Sequence, residues 1–205
     1  MGRTITRGKP MTFDASVFPN LELLLHPPIP KPLHGVNPRT ILGRTWWDIQ
    51  RRRAYARHGN CCWACAVPKR RAKYHRWLEA HEVYSMDYPS GRVEFLGVCA
   101  LCHACHNFIH YQRMEALLDA GKLSRVKYDD ILARGKRFLS AAGLVEPPEY
   151  AGEVAPWSGW HLVLDGKRYD GRFTDFEEWQ AYYAWLNRNE YRDGEEMIER
   201  FRALG

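Results

Sequence analysis

Cysteine and histidine residues cluster in one part of this sequence at spacings that suit metal binding. All six cysteines lie between Cys61 and Cys105, and two pairs, Cys62 with Cys65 and Cys102 with Cys105, have the form C-x2-C. Four thiolates satisfy a tetrahedral zinc ion and leave no open position. We therefore expect a structural zinc that supplies folding energy to a region of loops and short strands.

Other ligand sets remain open. Cys99 with Cys102 offers a competing C-x2-C register, and Cys61 duplicates the first ligand. A further alternative places His81 or His106 in the zinc site instead of one cysteine, and the last is a reduced core of free thiols. We prefer the register that ends at Cys105, because His106 then directly follows the second C-x2-C pair, at the start of a helix.

A hairpin and a helix are expected to bring the histidines near this zinc. Leu78 to Val83 and Val93 to Val98 have strand-like composition, and the turn residues DYPSG lie between them. A helix that starts near Cys102 would place His106 and His110, four residues apart, on one face.

Length and composition indicate a folded globular chain. The sequence has 205 residues, of which 45% are hydrophobic, and we find no window apolar enough to span a bilayer. The N-terminal residues MGRTITRGKP have no apolar stretch behind them, so we expect no signal peptide and a cytoplasmic location, with no membrane partner.

The net charge of +6 is unevenly distributed. Residues 144–205 carry thirteen acidic and seven basic side chains, whereas residues 44–76 carry ten basic side chains and only Asp48 as an acid. This density favours a polyanion partner, because neutralised phosphates release counterions, although a solvated basic face is the alternative. The nucleic-acid-binding candidates are Arg51, Arg52, Arg53, Arg57, Lys69, Arg70, Arg71 and Lys73.

Four regions follow from these patterns. We expect a proline-rich N-terminal arm at 1–40, a zinc-binding domain with following helices at 41–143, a linker at 144–159, and an acidic, aromatic-rich module at 160–205. Within the zinc-binding domain, Thr45 is expected to cap a basic helix that ends near Gly59, and helices are expected at 114–120 and 128–142.

The C-terminal module has two local signals of its own. The Asp165-Gly166 dipeptide between short apolar runs predicts a hairpin. Thr174 and Glu177 form a capping box for the helix that follows. The aromatic residues of this helix are expected to form a core or to contact a protein partner through residues 144–205.

The zinc knuckle, the segment CHNFIH and an upstream strand with a histidine together resemble the HNH endonuclease superfamily. The resemblance runs from about Trp46 to His110, and its most specific parts are CWAC, LEAHEVY and ALCHACHNFIH. It is most similar to a subgroup of largely uncharacterised bacterial and phage proteins with a His-Glu-aromatic strand. The resemblance implies an α+β fold: a treble-clef-like ββα-metal zinc domain with flanking helices, here followed by a small hairpin-plus-helix module.

In this family a divalent ion polarises the scissile phosphate while a base deprotonates the attacking water. His106 matches the metal-binding histidine after the knuckle, His110 the outer histidine of the same helix, and His81 the strand position. The resemblance thus implies a second metal held by these histidines, for which Mg²⁺, Mn²⁺ and Ni²⁺ are the candidates.

Two positions depart from the family pattern. The family commonly has Asp-His or His-His on the strand, where this chain has Ala80-His81-Glu82. Either His81 is the base, or His81 is a metal ligand and Glu82 is the base. The asparagine that orients the base falls on Gly97, and Asp87 is the nearby side chain that could approach the site.

Two functions are consistent with these residues. The first is a zinc-containing, nucleic-acid-binding HNH-type endonuclease that hydrolyses phosphodiester bonds, most readily of DNA. The second is an inactive module of the same fold that serves as a DNA-binding or protein-binding adaptor or inhibitor of phage or mobile-element type.

Overall fold

The computed structural model of the chain describes residues 3–4, 13–146, 150–189 and 193–204. Within these residues it contains six α-helices and six β-strands, which agrees with the expected α+β class. Parts of three predicted regions lie outside the described residues, namely 1–2 and 5–12 of the N-terminal arm, 147–149 of the linker, and 190–192 and 205 of the C-terminal module.

The elements follow one another without an internal repeat. The helices are α1 Pro38–Arg57, α2 His103–Ile109, α3 Tyr111–Asp119, α4 Arg125–Ala141, α5 Phe176–Arg188 and α6 Glu195–Arg202. The strands are β1 Arg3–Thr4, β2 Glu79–Asp87, β3 Arg92–Leu101, β4 Leu144–Val145, β5 His161–Leu164 and β6 Lys167–Asp170.

Strands β2, β3, β5 and β6 form one sheet in that order, while β1 and β4 pair in parallel as a separate two-stranded sheet. The predicted hairpin is present, since Tyr88–Gly91 joins β2 to its neighbour β3. The second predicted hairpin is also present: β5 and β6 are antiparallel, and Asp165 and Gly166 both have positive φ, 51° and 75°. Such φ values are those of the tight turns that match the twist of paired strands.

Strand β3 also pairs with β5, in parallel, from Arg92 opposite His161 to Glu94 opposite Val163. No sequence pattern predicts this pairing, because it joins two short strands about 70 residues apart in the chain.

A short helical segment that was not predicted precedes the basic helix. Helical structure starts at Pro38, and Asn37 caps it by accepting the backbone N–H of Thr40 at 3.0 Å. Gly43 interrupts it with φ 79° and ψ 174°, a conformation that is accessible to glycine. Gly43 thus separates two helical segments, and the segment with the arginines starts within two residues of the expected Thr45. Its end before Gly59, which has φ 60°, is confirmed.

The capping box of α5 is shifted by one residue from the prediction. Asp175, not Thr174, is the N-cap and accepts the backbone N–H of Glu178 at 2.8 Å. Glu178 in turn accepts the backbone N–H of Thr174 at 2.7 Å. The bonding resembles a capping box one position later than expected, except that Glu178 accepts from the residue before the N-cap and not from the N-cap itself.

The described chain divides into two compact units, each assembled from three chain segments. Unit 1 comprises 1–28, 48–85 and 96–151, and unit 2 comprises 29–47, 86–95 and 152–205. Both predicted metal-binding segments belong to unit 1.

The core of unit 1 surrounds the cysteines. Trp63 of the CWAC segment is 2% exposed and donates its indole N–H to the carbonyl of Ala54 at 3.0 Å. Helix α2 lies close against α4 at Gly135, where an added Cβ would stand 2.1 Å from the ring of Phe108. These contacts fix the position of α2, which carries the ligands described next.

Unit 2 has a separate aromatic core. Phe173, Tyr182, Leu186 and Ile198 are its buried members, and Trp179 and Phe201 pack against them. The aromatic residues of α5 thus form part of a core, as one of the two expectations had it.

Candidate metal centres

Four cysteines form the first candidate centre. The sulfur atoms of Cys62, Cys65, Cys102 and Cys105 all lie within 4.8 Å of one another, and the Sγ atoms of Cys65 and Cys102 are 3.8 Å apart. This is the register that the spacing favoured. A tetrahedral ion such as zinc is the species that such a set of soft ligands suits best.

The backbone forms two loops that aim these sulfurs at one point. After α1, the N–H of Cys62 donates to the carbonyl of Val67 at 2.9 Å, and the N–H of Ala66 returns to the carbonyl of Cys62 at 2.8 Å. On the other side, Cys102 is the N-cap of α2 and its carbonyl accepts the N–H of His106 at 2.9 Å.

The remaining two cysteines lie outside this group. Cys99 is fully buried on β3, and burial raises the pKa of its thiol. Cys61 is half-buried, and its sulfur lies 3.8 Å from the carbonyl of Gly59. By contrast, hydrogen bonds from the neighbouring thiols hold the pKa of Cys65 well below that of a free thiol, which favours the thiolate form of Cys65.

Three histidines form the second candidate centre. His81 on β2 and His106 and His110 at the end of α2 each offer a ring nitrogen, and these nitrogens lie within 4.8 Å of one another. Nδ1 of His81 is 3.2 Å from Nε2 of His110. These histidines form a group separate from the cysteines, so the structure does not bring them together as members of the zinc set.

A fourth histidine, His26, extends this group on the buried side. Its Nε2 accepts the backbone N–H of Tyr84 at 2.9 Å, and its Nδ1 lies 3.4 Å from Nε2 of His81. In the neutral form His26 therefore carries its proton on Nδ1 and donates it to His81, which in turn donates from Nδ1 to His110. Sequence reasoning missed His26, because the proline-rich segment around it has no ligand spacing.

Burial keeps these rings neutral. Desolvation lowers the pKa of His26 to about 4 and that of His110 to about 3, and it also lowers the pKa of the fully buried His81. Neutral imidazole is the form that binds metals, so these rings do not have to lose a charge before they can bind an ion.

Glu79 connects the histidines to a third group. It lies on β2 two residues before His81, and therefore on the same face of the strand. Its Oε1 is 2.9 Å from Nε2 of His75 and 2.7 Å from Nδ1 of His103, while its Oε2 contacts Nδ1 of His106. Burial alone would raise the pKa of Glu79, but the hydrogen bonds from His103 and His106 outweigh it and lower this pKa well below its ordinary value.

Glu79 was not predicted as a site residue, although the alternation of LEAHEVY contains the signal. The same alternation directs Glu82 to the face opposite His81, and Glu82 is not a member of the metal-capable groups found among the described residues. At the position of the expected asparagine, Gly97 has φ 154°, and an added Cβ would stand 2.8 Å from the ring of Phe13. Asp87 ends β2 and accepts the hydroxyl of Ser90 at 2.6 Å.

Most of the predicted nucleic-acid-binding residues are exposed. Those on the surface are Arg52, Arg53, Arg57, Lys69, Arg70, Arg71 and Lys73. Arg51 is half-buried and forms an ion pair with Asp48 at 2.7 Å, and Lys73 forms one with Asp130 at 2.8 Å. The arginines of α1 without such a partner are therefore the better candidates for contacts with phosphate.

No protein-family model, no curated protein and no solved structure matches the chain. Among the residues that the structure describes, none of the helices combines the length and apolar character needed to cross a membrane.

Proposed function

We propose that the chain is a zinc-stabilised, HNH-type protein that binds nucleic acid and hydrolyses phosphodiester bonds with a second divalent metal. The observation that carries this proposal is the convergence of His81, His106 and His110 beside a four-cysteine group. Two of the cysteines and two of the histidines belong to one short segment, 102–110, so the same helix would hold the structural ion and the catalytic ion.

Three imidazoles leave coordination positions open for water and a phosphate oxygen. A metal in this site would act as a Lewis acid on the phosphate and lower the pKa of bound water. Imidazole ligands suit Ni²⁺ and Zn²⁺, whereas Mg²⁺ and Mn²⁺ prefer oxygen ligands. We therefore expect Ni²⁺ to support cleavage better than Mg²⁺ does.

Two carboxylates are candidates for the base. The family pattern points to Glu82, whereas the strand face points to Glu79, which shares the side of β2 with His81. Comparing Glu79→Gln with Glu82→Gln separates these two roles.

The exposed arginines of α1 support a nucleic-acid substrate. Within the part of the chain that the structure describes, Arg52, Arg53 and Arg57 form no ion pair such as that of Arg51, and unpaired cationic residues bind phosphates with release of counterions.

The second candidate function is binding without cleavage. It is favoured by Gly97, which stands where the family has its orienting asparagine, and by the 3% exposure of His81. In that case the chain of hydrogen bonds through His26, His81 and His110 would be structural.

The deciding experiment incubates the purified, zinc-containing protein with plasmid and single-stranded DNA in Mg²⁺, Mn²⁺ or Ni²⁺. The variants are His81→Ala, which removes a ligand, and His161→Gln, a matched control because His161 lies on β5 outside the histidine groups. We expect metal-dependent nicking that His81→Ala abolishes and His161→Gln retains.

If the wild type and the two variants have equal zinc content and equal affinity for DNA, a loss of nicking in His81→Ala arises at the second metal site. Salt-sensitive binding with no nicking in any of the metals would replace the enzyme proposal by the binding module.

A further inference from the structure

Glu79 forms a cluster with His75 and His103, two residues to which the proposed function gives no role. Their ligand atoms lie within 4.8 Å of one another, with Oε1 of Glu79 at 2.9 Å from His75 Nε2 and 2.7 Å from His103 Nδ1. The three side chains are 12%, 21% and 17% exposed for His75, Glu79 and His103, respectively, so they are held in place but still open to solvent on one side.

We propose that His75, Glu79 and His103 bind a further divalent transition-metal ion, with zinc as the best-suited species. Two imidazole nitrogens and one carboxylate oxygen are the ligand set of zinc sites that keep a fourth position for water. This site is distinct from the four-cysteine group and from the three-histidine group, and it goes beyond the proposed function, because binding of this ion requires no cleavage activity.

The neighbours of the cluster hold the rings in place. The ring of Trp77 stacks on that of His75, with 3.6 Å between centroids and 1° between planes. Asn107, which is 4% exposed, donates its amide to the carbonyl of His103 at 2.9 Å, and its own carbonyl accepts from Arg113 at 3.2 Å. Fixed ligands of this kind lower the entropic cost of capturing an ion.

The hydrogen bonds within the cluster leave one ring nitrogen of His75 without a partner among the described residues. This atom is Nδ1, and it is buried. Nε2 of His75 and Nδ1 of His103 both point at the same carboxylate oxygen. An ion among these three atoms would replace two competing hydrogen bonds by metal bonds, with small movements of the ligand atoms, since ligands of one tetrahedral zinc stand roughly 3.3 Å apart.

Glu79 also joins this cluster to the three-histidine group, because its second oxygen contacts His106. One carboxylate thus belongs to this cluster and also contacts a member of the three-histidine group. We expect the two sets to be coupled, so that the occupation of one changes the affinity of the other for metal.

The test counts zinc ions in the full chain at a chelator-buffered free zinc concentration that saturates the wild-type protein. The variants are His75→Ala and His103→Ala, and the control is His161→Gln. We expect each of the first two variants to bind about one zinc ion fewer per chain than the wild type, and the control to bind the same number. Glu79→Gln is unsuitable for this count because Glu79 also contacts His106.

A zinc count in both variants equal to that of the wild type would overturn the proposal and leave the cluster as a hydrogen-bonded support for His106. His103 follows Cys102 directly, so His103→Ala risks disturbing the four-cysteine group, whereas His75 lies in the loop before β2. A second measurement therefore uses the unchanged protein: a crystal soaked in zinc chloride is examined for anomalous scattering. An anomalous peak within bonding distance of His75, Glu79 and His103 supports the site. An anomalous map with no peak at this position rejects it.

This result is independent of the cleavage assay. A zinc count that falls in His75→Ala while plasmid nicking stays intact supports the further site and leaves the proposed function standing. Absence of nicking in every protein rejects the enzyme proposal alone, since the zinc count still decides the further site.

Discussion

Cys102 combines two tasks, as the N-cap residue of α2 and as a member of the four-cysteine group. We expect Cys102→Ser to lose the zinc and to unfold unit 1, because structural zinc contributes a large share of folding energy in such sites. The matched control is Cys61→Ser, since Cys61 is half-buried and lies outside the group. Zinc content and thermal unfolding provide the measurement, and a Cys61→Ser protein that also loses its zinc would show that the ligand set is wrong.

His34 gives unit 2 a dependence on pH. Burial lowers the pKa of His34, and its Nδ1 accepts the indole N–H of Trp179 at 3.2 Å. Because the unfolded chain takes up a proton near pH 6.5 and the folded chain does so only at lower pH, His34 makes the folded state less stable as pH falls below 6.5.

The variant His34→Asn retains an acceptor but does not titrate. We expect its free energy of unfolding to fall less steeply between about pH 7 and about pH 5 than that of the wild type, as measured by urea denaturation. Parallel curves for the two proteins would show that His34 is not responsible.

At the scale of residues, the sequence predicts the ligands whose spacing is local. The two C-x2-C pairs and the i, i+4 histidines lie on short segments with fixed geometry, so their convergence follows from the local elements. Glu79 and His26 were missed for different physical reasons. Glu79 is found only when the strand alternation is followed two residues back from His81. His26 reaches the site from the end of a short 3-10 helix, Leu21–Leu25, and lies 55 residues before His81 in the chain.

Helix α1 presents exposed arginines on the turns that follow its ion pair. We expect the triple replacement of Arg52, Arg53 and Arg57 by glutamine to weaken DNA binding. The slope of log affinity against log salt should become shallower by about 0.9 for each phosphate that the helix no longer neutralises. The measurement is fluorescence anisotropy at several salt concentrations.

The matched control neutralises Lys122, Lys136 and Arg137, three exposed basic residues of the same unit. If both triple variants change the slope equally, net charge and not α1 accounts for the binding.

Asp193 joins the elements of unit 2. Its carboxylate accepts hydrogen bonds from Arg172 at 2.9 Å, from Tyr182 at 2.7 Å and from Tyr183 at 2.8 Å, and these bonds outweigh burial to lower its pKa. We expect Asp193→Ala to lower the free energy of unfolding by about 2 kcal/mol, because three donors lose a charged acceptor.

The control is Asp170→Ala, which removes the exposed ion pair with Arg168 and should cost about 0.5 kcal/mol or less. Chemical denaturation monitored by tryptophan fluorescence compares the two. Equal losses would mean that the contacts of Asp193 are no stronger than those of a surface pair.

At the scale of elements, turns and helices were predictable where one local signal decides the conformation. Asp165-Gly166 is an example, since both residues must take positive φ. The helical segment before Gly43 was not predictable from periodicity, because only five residues, 38–42, precede the break. The parallel pairing of β3 with β5 depends on residues far apart in sequence, and short strands have many competing partners.

The whole chain passes five times between unit 1 and unit 2, at 28/29, 47/48, 85/86, 95/96 and 151/152. A cut at 47/48, 85/86 or 95/96 divides both units, whereas a cut at 28/29 divides only unit 1 and a cut at 151/152 divides only unit 2. We expect a fragment of residues 160–205 to be unfolded or aggregated, since β5 would lack its partner residues Arg92–Glu94.

Far-ultraviolet circular dichroism and one amide NMR spectrum of the fragment test this expectation. Helical content with well-dispersed amide resonances would show that the module 160–205 folds without β3.

The position of the ligands along the chain has a consequence for synthesis. All three metal-capable groups are complete once His110 has left the ribosome, because they draw on residues between Cys62 and His110 only. Unit 2, by contrast, needs β5 to join β3, and β5 follows about 50 residues later. Zinc in the cell therefore encounters a nascent chain that can already capture it, and the ion can hold the early segments together while the strand that completes the sheet is still being made.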